Sequence, residues 1–597
     1  MAWTLIRGGT VVDGTGSPPF QADVCIRDGV IDAVGPDLSA PEGAQVMDAA
    51  GKLITPGFIN MHSHSDCSAA MYPNMESTLG QGITTEFAGH CGLGVAPVQH
   101  SWLYMFPEKK AFTKVMPEPP GGINPYNAYL VPTQRLREPF AQTYGQELDW
   151  TTYGQFLEHL RRVGLGANLA VVAGQAQIRL QAMGTDYHRD ATETEIAAMG
   201  DALSEAMDGG ALGLSLGLDY EPGLFAGREE LLRLMKLVAA RGGIVTAHTR
   251  SRSHPYYGHA QSFLDGLREF LDLGRESGVR IHVSHIQNGY NVTPAHDGLI
   301  RAAVAKTLEE LDRARQAGVN VTWDVIPKYA YGPFHYPMAA SLFQPYVERC
   351  GGCAAFSRAL TLPDFRRQVV EEIRTGRHPS QGVFTRFDPQ ADPAWDTRYR
   401  FTRVQRAGCV GKTIREAAQG ADSLELLLDV LTEDPYAAMI SLGRRPEHTP
   451  DRDAFVARTE ATIGLDTWTL DYDAALSEGD LPLECGSPAT YEGMTVFLET
   501  ERDKGAAIEE TIRKLTGNAA RTLGLTDRGF VSQGLAADLL VLDWEHFSAR
   551  ENLADPRHGP QGLDYVLVAG QIAVDHGVHT HVRSGTVLGP EHRKGEN

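Results

Sequence analysis

Residues 58–66 read FINMHSHSD. The run is apolar through Met61, then sets His62 and His64 two residues apart. Alternate side chains of a β-strand leave the same face. A strand that continues through this run therefore aims both imidazoles the same way. One histidine at a strand end is more often a satisfied polar residue than a ligand. Two on one face at the end of a buried strand ask for a shared partner.

Seven more apolar runs of strand length follow: GITTEFAGHC, NLAVVAG, ALGLSLGL, GIVTAHT, RIHVSH, NVTWDVIP and TIGLD. Helix-like stretches lie between several of them, as at 192–208 and 228–240. Apolar strands alternating with helices are buried on both faces of a parallel sheet. Eight of them predict an α/β fold with a (β/α)8 barrel. Residues 1–56 and 525–585 have a different texture, short apolar runs broken by Asp-Gly and Gly-Gly turns, which reads as antiparallel β. The two ends are expected to pair into one small β-sandwich, with the barrel spanning 57–524. Residues 97–150 and 329–460 interrupt the barrel pattern and are expected as inserts over the active-site face. The longer insert has two readings, a lid that excludes water or a plain surface subdomain.

The 597 residues are 42% hydrophobic and 22% charged, which is globular composition. The net charge is -21, from 54 basic and 75 acidic residues. That balance argues against nucleic acid and anionic membranes, whose recognition needs clustered Lys and Arg. No leader pattern and no run of about 18 apolar residues is visible. With seven cysteines, an odd number, a reducing, cytoplasmic setting is expected. Cys350-Gly-Gly-Cys353 lacks a second ligand pair and reads as two free thiols. A homo-oligomer is compatible with the sequence.

In a barrel of this kind, functional residues sit at the C-terminal ends of the strands. Those ends carry His62 and His64, then His90-Cys91, His248, His285 and Asp466. Imidazole, thiolate and carboxylate are the side chains that bind zinc. Each has a bland reading alone: Cys91 as a small core residue, Asp466 as a helix N-cap. Together, from five strands, they read as a metal site.

With these residues in place, the chain resembles the amidohydrolase superfamily, and within it the N-acyl-D-amino-acid deacylases (D-aminoacylases). The stretches that carry the likeness include RGGTVVDGTG, LITPGFINMHSHSD, GITTEFAGHCGLGVAP, GGALGLSLGLDYEPG and TGNAARTLGLTDRGF. Many binuclear amidohydrolases bridge two metals with a carboxylated lysine. The deacylases are similar but use a cysteine after strand two, and Cys91 stands there. No Lys ends strand three or four (AVVAGQ, LGLSLGL). The resemblance implies a tight Zn2+ held by Cys91, His248 and His285. It implies a second, weaker position at His62 and His64, with Cys91 able to bridge. Asp466 would be the catalytic proton carrier in hydrolysis of a small-molecule amide, first among them an N-acyl-D-amino acid.

The substrate end departs from the family. Its Lys two residues past the strand-six histidine is Gln287 here. Its Tyr-Pro-Tyr after strand seven is Ile326-Pro327-Lys328, and Lys328 is one replacement cation, or a solvated lysine. The family's His-Gly type motif after strand three is Gly174-Gln175-Ala176, and its His-Pro-Arg stretch is not visible in 471–495. Arg250 is a candidate for the substrate carboxylate, because guanidinium binds carboxylates as a fork; a structural salt bridge is its other reading. Tyr220 and Glu221 are candidates to line the pocket. Asp324 is a candidate support for a ligand. A bulkier amide, or a cyclic amide of the hydantoinase or dihydroorotase kind, is the competing substrate class; Cys91 speaks against the cyclic one. A ligand-free scaffold is disfavoured by the complete set of candidate ligands.

Overall fold

The structure, a computed structural model, describes residues 3–98, 101–104, 129–250, 263–286, 297–327, 339–377, 394–441, 450–474, 476–478, 481–483, 488–552 and 555–593. Its centre is a parallel barrel of eight strands: β1 (Phe58–Ser63), β2 (Ile83–Ala88), β3 (Asn168–Val171), β4 (Gly213–Gly217), β5 (Ile244–His248), β6 (Arg280–Val283), β7 (Val321–Val325) and β8 (Thr462–Ile463). β1 to β3 pair in order, as do β4 to β8. Ala173–Gly174 extends β3 and pairs with β4. Closure between β8 and β1 comes from Asp466 N donating to His62 O at 2.8 Å and His64 N donating to Thr467 O at 2.7 Å. All six residues of β1 and of β2 are buried, as expected for strands covered on both faces.

The helices α1 (Gln175–Met183), α2 (Glu193–Gly209), α3 (Arg228–Ala240), α4 (Phe263–Ser277) and α5 (Asp297–Gln316) alternate with these strands. α2 starts on a capping box, in which Thr192 and Glu195 satisfy each other's backbone N–H.

One nine-stranded sheet is drawn from both ends of the chain. Leu53–Pro56 pairs antiparallel with Leu539–Leu542, and the sheet curls so that Val30 bridges Ala536. Ile6, Val24, Ile54, Leu539 and Leu567 fill its own core. The chain then returns to the barrel, where Val587–Leu588 adds parallel to β3.

Residues 339–377 and 394–441 share a hydrophobic core separate from the barrel's, built around Phe343, Phe356, Leu427 and Leu431. Cys350 and Cys353 end one helix and begin the next; neither is in a disulfide, and both pack at the edge of that core. Much of the 97–150 insert lies outside the described residues. Its end is tied down by Trp150, whose Nε1 donates to Val95 O at 2.9 Å.

A polar layer beneath the barrel mouth holds β8 in register. Asn60 Oδ1 accepts from Leu465 N at 2.9 Å, and Asn60 Nδ2 donates to Glu86 at 2.7 Å. Thr78 donates to the same carboxyl at 2.9 Å. Burial pushes Glu86 up from 4.5 to about 7, against the hydrogen bonds of Thr78, Ser63 and Asn60. A carboxyl raised in the folded state favours its protonated form. The stability it contributes is fully present below pH 4.5 and lost as pH rises through about 7. Glu86→Gln is therefore expected to flatten that loss. Denaturation midpoints measured across this range should fall more steeply for the native chain than for the variant, in which Asp471, raised to about 6, still titrates; parallel curves would contradict the assignment.

Candidate metal centre

The barrel mouth gathers the strand-end residues into one buried cluster. His62, His64, Cys91 and Asp466 bring ligand atoms within 4.8 Å of one another, and so do Cys91, His248 and His285. Cys91 belongs to both groups. Its Sγ lies 3.4 Å from His62 Nε2, 3.4 Å from His285 Nε2 and 3.9 Å from His248 Nδ1. Asp466 Oδ1 lies 3.1 Å from His64 Nε2 and 3.3 Å from His62 Nε2. Every one of these residues is buried.

Three of them hold left-handed backbone. φ is +58° at Cys91, +39° at His285 and +57° at Asp466. Non-glycine residues seldom adopt this region, and when they do they cluster at functional sites. The turn at each strand end swings the side chain inward over the mouth rather than along the strand.

Charge explains the packing. Burial opposes a thiolate at Cys91, but His62 and His285 outweigh it and hold the thiol well below its ordinary value. Burial likewise opposes charge on Asp466, and His62 and His64 hold it ionised. In return, burial opposes a charged His64, but Asp466 and Cys91 raise it to about 9. Buried anions thus need a buried positive charge. Protons on His62 and His64 supply it without an ion, and a divalent cation offers the same charge to the same anions. The donor set fits such an ion: buried imidazole, thiolate and carboxylate atoms within 4.8 Å of one another are the groups that bind zinc.

Outside the cluster, carboxylates orient the imidazoles. Asp324, fully buried on β7, has Oδ1 at 3.2 Å from His62 Nδ1 and 3.1 Å from His282 Nε2. Its Oδ2 accepts from His285 N at 2.7 Å. Burial opposes its charge, but His62 and His282 keep Asp324 below the ordinary carboxylate range. With that carboxylate ionised, His62 Nδ1 donates to it, so that Nε2 would present its lone pair once a cation took the place of its proton. Gly464 permits the approach, since a Cβ there would lie 2.4 Å from His62 Cβ. Asp219 Oδ2 lies 3.3 Å from His248 Nε2 and plays the same part. Sequence reasoning missed Asp219 and His282. Asp219 stands next to Tyr220 in GLDYEPG, and a carboxylate just past a strand end was the available signal.

The substrate candidates fare differently. Tyr220 is buried; its hydroxyl donates to Cys91 O at 2.7 Å, and its ring lies 5.0 Å from His248. Glu221 accepts from Tyr187 OH at 2.6 Å. Arg250 is engaged at all three guanidinium nitrogens, by Glu269 and by the carbonyls of Leu224 and Ala226. Its salt-bridge reading, not the substrate fork, matches this geometry. Gln287 and Lys328 lie outside the described residues.

The chain matches an amidohydrolase family over residues 45–323. It is 27% identical over 590 residues to an N-acyl-D-glutamate deacylase of Alcaligenes xylosoxydans xylosoxydans, covering 98% of this chain and 96% of the relative. It is 30% identical over 587 residues to a D-aminoacylase of the same organism, covering 98% of this chain and 97% of the relative. The chain belongs to the N-acyl-D-amino-acid deacylase family of amidohydrolases. As a member of that family, it is a hydrolase of carbon–nitrogen bonds other than peptide bonds. In fold, this deacylase-family hydrolase is similar to a solved N-acyl-D-glutamate deacylase of Bordetella bronchiseptica. That protein is complexed with zinc and a phosphonate inhibitor, at TM-score 0.67, 24% identity and coverage of 98% and 100% of the two chains. It is equally similar in fold to a D-aminoacylase with a binuclear metal centre, at TM-score 0.67 and 24% identity, covering 98% of this chain and 99% of that one.

Asp324→Asn keeps the shape but removes the carboxylate charge from His62 and His282. It is expected to weaken zinc binding by about 10–100-fold, read by competition with a chromophoric chelator. Unchanged affinity would mean that Asp324 only fills space.

Proposed function

We propose that this hydrolase removes the acyl group from N-acyl-D-amino acids, with zinc held in the cluster at the barrel mouth. The observation that carries the reading is Cys91, shared by two groups of ligand atoms, with Asp466 a member of one of them. Cys91, His248 and His285 would hold the tight ion. His62 and His64 would hold a second, weaker one, with Cys91 able to bridge. The names of the full-length relatives support the substrate class.

When bound, zinc polarises a carbonyl and lowers the pKa of water to about 7. The rest is the work of the chain. Asp466, kept ionised, accepts the proton of the attacking water on a carboxylate oxygen. It then passes that proton to the leaving amine. Asp324 and Asp219 hold His62 and His248 in fixed tautomers. Burial keeps bulk water from competing for these charges. The products are a carboxylate and a D-amino acid.

Gln287 and Lys328 follow β6 and β7 directly in the chain, which keeps both as candidates for the substrate end. Tyr220 is placed by its hydrogen bond under Cys91, so its contribution to substrate binding is through that support. A cytoplasmic location is part of the proposal. It is supported by the odd number of cysteines in the sequence, which fits a reducing setting rather than a disulfide framework.

The test is hydrolysis by zinc-reconstituted protein of paired N-acyl-D- and N-acyl-L-amino acids, with Asp466→Asn as comparison. Turnover of the D series is expected, and a fall of at least about 10²-fold in the variant. Full zinc occupancy with no turnover of either series would contradict the amino-acid substrate and point to a bulkier amide.

A further inference from the structure

Residues 218–227, LDYEPGLFAG, follow β4 and contribute two contacts to the cluster. Asp219 braces His248 at 3.3 Å, and Tyr220 donates to the carbonyl of Cys91 at 2.7 Å. The far half of the segment is gripped from two sides. Arg250, just past β5, donates through Nη1 to Leu224 O at 2.6 Å and through Nη2 to Ala226 O at 3.1 Å. Arg179, in α1, donates through Nη2 to Arg189 O at 2.6 Å and, at 3.2 Å each, to Tyr187 O and Phe225 O. Three successive carbonyls of one loop are thus held by two arginines from different elements.

Each arginine is itself fixed. Arg250 Nε donates to Glu269 of α4 at 2.9 Å. Arg179 pairs with Glu230 of α3, and Gln175 donates to the same carboxylate at 2.7 Å. Both arginines are buried. Buried guanidinium is costly unless its charge and its N–H groups are met; here a carboxylate meets each charge and backbone carbonyls accept from Nη1 and Nη2 of Arg250 and from Nη2 of Arg179, while Arg179 Nε has no partner among the described residues. The glycines fit this arrangement. A Cβ on Gly266 would lie 1.8 Å from Arg250 O, so only glycine lets α4 close on that residue. A Cβ on Gly217 would lie 2.1 Å from Cys91 O, the oxygen that Tyr220 caps.

We propose that Arg250 and Arg179 form a clamp on residues 218–227 that positions Cys91 and His248 for the metal. Arg250 is then a positioning residue: it acts through Tyr220 and Asp219 and does not touch substrate. The hydroxyl of Tyr220 anchors the left-handed turn at Cys91, and the clamp keeps that hydroxyl in place. This rests on the reading of Cys91 as a metal-holding thiolate. The loop measurement below does not, so the two can fail separately.

Arg250→Met removes the grip from one side, and Glu269→Gln weakens it from a half-buried position on α4, keeping the shape and the hydrogen-bond acceptor, where a folding failure is less of a risk. Hydrogen exchange of residues 218–227 in metal-free protein reads the clamp directly. Exchange is expected to speed up on the order of tenfold in Arg250→Met, less in Glu269→Gln, and to be partly restored in Arg250→Lys. In cobalt-substituted protein, the thiolate-to-metal charge-transfer band is expected to weaken or shift in the same order. kcat should fall with KM little changed. Unchanged loop exchange would overturn the clamp. Faster exchange with an undisturbed band would overturn its link to Cys91. A native protein lacking the band would overturn the thiolate reading and leave the clamp standing. A rise in KM at constant kcat, with exchange unaltered, would return Arg250 to the substrate carboxylate.

Discussion

Everything at the barrel mouth follows from burying a negatively charged sulfur. Cys91 Sγ sits among three imidazoles at 3.4–3.9 Å. A thiolate there is stable only if positive charge is close and fixed. That single demand explains why His62, His248 and His285 converge from three strands. It explains why Asp324 and Asp219 stand behind them. It also explains the left-handed turns at Cys91, His285 and Asp466: a strand end that ran straight on would carry its side chain past the mouth. The barrel supplies the convergence, and the loops supply the last few ångströms.

The fold was legible because burial on both faces leaves a strong mark. Eight apolar runs of strand length, each ending in a polar turn, have few alternatives. The strand-end cluster was legible for the same reason. The alternation in FINMHSHSD fixes which way His62 and His64 face, and the end of a strand is easy to locate. What stayed hidden depends on partners far apart in the chain. Arg250 finds Glu269 only after α4 packs on β5, and finds Leu224 and Ala226 only after the β4 loop folds back. Read alone, a guanidinium two residues past a ligand candidate suggests a substrate contact. Asp219 lies 29 residues from His248, so nothing local joins them. The positive φ values at Cys91, His285 and Asp466 carry no sequence mark, since none of the three is glycine.

The inserts show the limit of pattern reading in another way. Residues 339–377 and 394–441 share a core of their own, with amphipathic helices that follow the helical period. Periodicity reveals these helices but not what they face. The barrel and the terminal sheet, in contrast, are knitted together by the returning segment at Val587–Leu588. They are also tied by Asp538, which accepts from Arg528, Asn168 and the backbone of Ala569.

The central claim is that a buried thiolate, not a carboxylated lysine, shares the metal. Zinc K-edge X-ray absorption on the native protein carrying one equivalent of zinc tests it most directly. One sulfur at about 2.3 Å, with nitrogen or oxygen neighbours at about 2.0–2.1 Å, is the predicted shell, and Cys91→Ser should remove the sulfur alone. A shell of nitrogen and oxygen only in the native protein would contradict the account.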